Sequence, residues 1–113
     1  MKKIFVATDF SEVAHNAINY AAEMAAAFSA SLTIINVYES PLFYTAEMPY
    51  TAIEAAENLA KSDAESQMTK LMAVVTKQFP GIKISSIVKR GISAETIAQE
   101  ADENGADLLV CGS

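Results

Sequence analysis

Four short apolar runs, "KIFVATD" (3–9), "SLTIINVYE" (31–39), "IKISSIV" (82–88) and "DLLVC" (107–111), are separated by three stretches with helical spacing. This alternation constrains the fold more than any other feature. The first, second and fourth runs are nearly continuous in their apolar character, as expected for strands covered on both faces. "IKISSIV" partly alternates and reads as an edge strand. Between the first two runs, Ala14, Ala17, Ile18, Ala21, Ala25 and Phe28 form one apolar stripe. Its alanines let a helix lie close to a sheet. Ser11 precedes it as a candidate N-cap. From Thr51 to Phe79, Ile53, Ala56, Ala60, Ala64, Met68, Leu71, Met72, Val75 and Phe79 mark a second, longer helix. Its polar middle, "KSDAES", is expected to let the first turns fray or bend, and Pro80-Gly81 ends it. Ser93 is the expected N-cap of a third helix, with Ile92 and Ile97 as a hydrophobic staple. Ile97, Ala98 and Ala101 form its apolar face, and Gly105 its left-handed C-terminal residue.

The order β-α-β-α-β-α-β predicts a parallel sheet with right-handed crossovers and helices packed on its faces. Residues 39–50, "ESPLFYTAEMPY", read as a loop that covers a sheet edge or serves as a lid or interface segment. A chain of 113 residues forms one domain. Its net charge of -6 repels a phosphate backbone and an anionic membrane surface, which argues against nucleic-acid and membrane partners. A local basic spot such as Lys89-Arg90 still suits one small phosphate. The single cysteine, Cys111, precludes an internal disulfide, which fits a reducing cytoplasm. "MKKIFVATDF" has too short an apolar run for a signal peptide.

In an open parallel sheet, ligands bind beyond the C-terminal strand ends. "TDFS", "VYES", "KRGIS" and "CGS" are the stretches placed there. Asp9 has two readings on position: acceptor for a ribose or adenine amino group, or acceptor for backbone N–H groups in the strand-to-helix turn. Ser11 reads as a cap and not a nucleophile, His15 as a solvated surface residue, and Cys111 as a small core residue at a strand end. No His, Cys and Asp cluster has metal-ligand spacing. Neither GxGxxG nor GxxxxGK[ST] is present.

"KKIFVATDFSEVAHNAINYAAEMAAAFSASLTIINVYE" and "VKRGISAETIAQEADENGADLLVCGS" together resemble a universal stress protein domain (UspA-like). The specific features are T-D-F-S after strand one, V-x-x-G before the third helix, and A-D-L-hydrophobic-V-x-G-S at the end. The resemblance implies a Rossmann-like, adenine nucleotide alpha hydrolase-like α/β sheet of five parallel strands in the order 3-2-1-4-5. Four are present here, 3-2-1-4, with helices on both faces. It also implies dimers, and ATP or AMP as ligand in nucleotide-binding members. The residues it would place at the nucleotide are Ala7, Thr8, Asp9, Val37, Gly91, Cys111, Gly112 and Ser113. Ala7, Asp9, Val37 and Cys111 would line the adenine pocket, and Gly112 would open the family's G-x-x-G-x9-G-[S/T] phosphate loop. Ala7 and Cys111 are smaller than the residues often found there.

The sequence stops at Ser113, before the remaining loop glycines. The expectation is therefore a universal stress protein-like domain, residues 1–113, incomplete at its C-terminus, with weak or absent ATP binding compared with its parent. It would be a regulatory, non-catalytic stress-response module of the cytoplasm, with at most slow hydrolysis in the parent. Exposure of the strand at 107–111 would favour a homodimer or swapped assembly. The alternative reading is a family member that binds no nucleotide and acts through dimerisation or partner binding. An ATP-pyrophosphatase would need a glycine-rich loop where "TDFSE" stands. A phosphorelay receiver would need an aspartate where "VKRG" stands.

Overall fold

The computed structural model describes residues 2–39 and 47–112. The elements are β1 (Lys3–Ala7), α1 (Glu12–Phe28), β2 (Ser31–Tyr38), α2 (Tyr50–Gln78), β3 (Ile84–Arg90), α3 (Ser93–Glu103) and β4 (Leu108–Cys111). They form one parallel sheet in the order β3-β2-β1-β4. The α/β architecture, the strand order and the edge position of β3 agree with the sequence reading.

The pleat sorts the strand residues between two layers. On one face Ile4, Val6, Leu32 and Ile34 meet Ile18, Ala21, Ala22 and Ala25 of α1 and Met68 and Val75 of α2. On the other, Ala7, Ile35 and Val37 pack with Ile87 and with Ile97 of α3. Ala14, Ala21, Ala22 and Ala25 of α1 are buried, so short side chains bring that helix onto the sheet.

At the start of α1, Ser11 Oγ accepts from Ala14 N at 3.2 Å, the expected cap. The helix ends with Ser29 at φ 54°, and Ala30 N donates to Ala25 O at 2.9 Å. Gly105 takes the same left-handed turn after α3, at φ 69°. Helix α2 runs unbroken through "KSDAES", because Ala64 within that stretch and Met68 just after it are both buried. At about 1.5 Å per residue its 29 residues span about 43 Å, longer than any strand of the sheet. The molecule is accordingly elongated, 53 × 26 × 21 Å.

Several local expectations are corrected. Strand β3 is shifted two residues toward the C-terminus. Lys89 and Arg90 are not loop residues; they continue the parallel ladder opposite Val37 and Tyr38, because β2 is long enough to partner them. Ser93 is the first residue of α3 and not its cap. Ile92 occupies the cap position, has no side chain able to accept a bond, and is 64% exposed, so no staple forms with Ile97. Ala98 faces solvent, and Glu100 takes the buried place in the last turns. Phe28 is exposed, one turn beyond the last buried residue of α1. Cys111 is exposed and not a core residue, because β4 is an edge strand. The reading of 39–50 falls largely on residues 40–46, outside the described residues; a turn at 47–48 leads into α2.

Candidate functional site at the strand ends

The C-terminal end of β1 is a tightly bonded turn. Thr8 N donates to Ile35 O at 2.9 Å, and Thr8 Oγ1 accepts from Phe10 N at 3.0 Å. One residue on, Asp9 Oδ1 accepts from Ser11 N at 2.9 Å. These two side-chain-to-backbone bonds reverse the chain from strand to helix. Between them Phe10 sits at φ 67°, a left-handed conformation that is costly for a bulky residue. The Ser11 hydroxyl and then its backbone N–H, both bonded to the Asp9 carboxylate, hold that carboxyl below its ordinary pKa. Asp9 thus fills the structural role that position allowed, and it is also exposed, with a fixed negative charge at the end of β1.

Ala7 and Cys111 are direct partners in the β1–β4 ladder, so the ends of these strands lie side by side. Val37, on the neighbouring strand β2, is 8% exposed and shares a cluster with Ala7. The structure therefore gathers Ala7, Thr8, Asp9, Val37, Cys111 and Gly112 at adjacent strand ends. Gly91 stands apart, beyond β3, where its N–H donates to Tyr38 O at 3.1 Å. A Cβ at Gly91 would lie 2.2 Å from Thr96 Oγ1, so its lack of a side chain is what lets α3 begin there. At Gly112 a Cβ would lie 3.0 Å from Val13 O and 3.2 Å from Ala14 Cα. The chain leaving β4 therefore passes directly against the backbone of the first turns of α1. Ser113 lies outside the described residues.

Asn36, not singled out in the sequence, supports this arrangement. It is 6% exposed, and its Nδ2 donates to Thr8 O at 2.8 Å, tying β2 to the turn after β1. Its Oδ1 is buried and has no partner among the described residues. A polar residue inside the apolar run "TIINVY" was the available signal, since buried polar groups are ordinarily bonded. The basic spot at Lys89-Arg90 is neutralised. Lys89 pairs with the buried Glu100, which raises the Lys89 pKa, and Arg90 pairs with Glu57 of α2 at 2.9 Å. His15 is not fully solvated; it is half-buried in a cleft between α1 and α2. Among the described residues there is no group of three or more His, Cys, Asp or Glu able to hold a metal.

A family model described as the universal stress protein family matches residues 1–113. The chain belongs to the universal stress protein family. Solved structures of this family show the same fold. The universal stress protein UspA from Lactobacillus plantarum superposes with a TM-score of 0.82 at 22% identity, covering 97% of this chain and 75% of that one. A universal stress protein from Burkholderia pseudomallei gives 0.69 at 25% identity, covering 99% and 81%. A universal stress protein solved in complex with cAMP gives 0.69 at 22% identity, covering 96% and 72%. No curated protein matches the chain. Among the described residues of this universal stress protein domain, no helix is long and apolar enough to cross a membrane.

Proposed function

We propose that this universal stress protein domain binds an adenine nucleotide across the ends of β1, β2 and β4 and acts as a regulatory module in a stress response, without catalysis of its own. The observation that carries the reading is the juxtaposition of Ala7, Asp9, Val37 and Cys111. Ala7 and Cys111 are paired in register, Val37 lies on the adjacent strand, and Asp9 sits exposed at the end of β1. Small and branched apolar side chains suit the face of a purine. A carboxylate fixed at the strand end suits a ribose hydroxyl or an adenine amino group, both donors to it. The relative solved with cAMP shares this fold, which supports an adenine nucleotide as the ligand class.

Gly112 would contribute its backbone N–H to phosphate beside the start of α1, where the helix dipole also favours an anion. Ser113 belongs to the same proposed set, and Gly91, beyond β3, would stand at its periphery. ATP and AMP are the proposed ligands, and the cytoplasm is the proposed location. The carboxylate pair of a hydrolase and the nucleophile and base of a transferase are not assembled from these residues, so the proposed output is a ligand-dependent change in partner binding.

Isothermal titration of the protein with AMP and ATP tests the reading. Saturable binding that Asp9→Asn weakens by about tenfold supports it, the cost of one lost charge-assisted bond. Absence of heat at millimolar nucleotide, or equal binding by Asp9→Asn, would count against it.

A further inference from the structure

A cavity of about 220 Å³ opens on the opposite side of the β1–α1 turn, between α1 and the middle of α2. Its apolar wall is Phe10, Ile18 and Leu71, and its polar rim is His15, Gln67 and Lys70. A void of about 150 Å³ already takes a benzene molecule, whereas sites for drug-sized ligands run from about 300 Å³ upward. The fitting occupant is thus roughly one ring in size.

The rim favours one sign of charge. Lys61, Lys89 and Arg90 each face a glutamate, but among the described residues no carboxylate lies within ion-pair distance of Lys70. Its helical neighbours Ser66, Gln67, Ala73 and Val74 supply none. Gln67 donates to Asp63 at 2.9 Å through Nε2. The His15 imidazole offers a donor, and the mouth is continuous in its lining with a shallower cleft bounded by Phe10, Ser11, Glu12, His15 and Asn16. Glu12, on that outer cleft, and Asp63, bonded to Gln67, are the opposing charges; neither lines the cavity itself.

We infer that this cavity binds a small organic monoanion, a carboxylate carried on an apolar body about the size of a benzene ring, with the ring against Phe10 and Leu71 over the buried Ile18 and the carboxylate at Lys70 and His15. The inference goes beyond the nucleotide reading, since Ile18 and Leu71 belong to the opposite core layer from Ala7 and Val37. The two sites share only the turn that carries Thr8 and Phe10. An occupant that packs on Phe10 would bear on the strained residue next to Asp9, so the two ligands would be coupled through that turn.

The test is a titration of the ¹⁵N-labelled full chain with sodium benzoate, followed by amide chemical shifts, with benzylamine at matched ionic strength as the control. The expected result is saturable shifts centred on Ser11, His15, Gln67 and Leu71, and binding about tenfold or more weaker for benzylamine. Lys70 is exposed, so Lys70→Gln keeps the fold, and it is expected to weaken benzoate by about fivefold or more. No saturable shift, shifts centred elsewhere, equal affinity for benzylamine, or unchanged affinity in Lys70→Gln would each overturn the proposal. A separate titration with AMP reports on Ala7, Val37 and Cys111, so failure of either site is read independently of the other.

Discussion

Two residues show how local geometry decides identity. Ser29 ends α1 at φ 54°, where an L side chain is strained and glycine is not. Ser29→Gly is expected to stabilise the protein by about 0.5–1 kcal/mol, read as a higher urea midpoint at unchanged slope. Gly112 is the converse. A methyl group there would press on Val13 O and Ala14 Cα, both backbone atoms of a helix already seated on the sheet. Gly112→Ala is expected to cost about 1–3 kcal/mol, measured in the same way; an unchanged midpoint would show that the strand end can shift off α1. The sequence showed the glycine but not this reason for it, because the close approach joins residues a hundred positions apart.

At the scale of elements, β4 is fastened to β1 before the ladder begins. Asp107 Oδ2 accepts from Lys2 N at 2.7 Å and from Lys3 N at 2.9 Å, while Asp107 N donates to Lys3 O at 2.8 Å. These backbone donors, Lys2 first, hold the Asp107 carboxyl below its ordinary value of 3.8. A carboxyl with a lowered folded pKa adds stability that is complete above the unfolded pKa and is lost as pH falls through the folded one. Stability is therefore expected to drop as pH falls below about 4, with Asp9 contributing in the same direction. Asp107→Asn should flatten part of this acid limb in urea titrations at pH 3–6, relative to the unmodified protein. Lys89 behaves oppositely. Its raised pKa gives stability that is present below its ordinary 10.5 and lost as pH rises through the raised value.

Element order and type were legible because period-2 and period-3.6 patterns survive in single segments. "KIFVA" and "SLTIINVY" can be little else than buried strands, and the α1 alanines mark their own buried face. What was not legible depended on neighbours. The two-residue shift of β3 follows from the length of β2, not from "IKISSIV" itself. Burial of Glu100 follows from Lys89 arriving beneath α3 on a strand eleven residues earlier. Ile92 was read as half of a staple, but the helix begins one residue sooner than Ser93 would set it. At the candidate site, Asp9 and Ser11 were legible from turn chemistry, and Thr8 entered only through the family resemblance. Asn36 and the Phe10 backbone were not, because each is defined by a contact or an angle that no spacing encodes.

For the whole molecule, the two sheet edges differ in a way that bears on assembly. The β3 edge carries Lys89 and Arg90 and is preceded by Lys83, charges that discourage pairing with another strand. The β4 edge is "LLVC", uncharged and partly exposed. A homodimer or swapped assembly is the proposed state, as the family resemblance implies. Sedimentation velocity at rising concentration should show a dimer, and a monomer throughout would contradict it.

Mapping where AMP binds on the ¹⁵N-labelled chain tests for a nucleotide across the ends of β1, β2 and β4. Saturable shifts centred on Ala7, Thr8, Asp9, Val37 and Cys111, strongly weakened in Asp9→Asn, are expected. No saturable shift at millimolar AMP, or a map centred away from these strand ends, would contradict it.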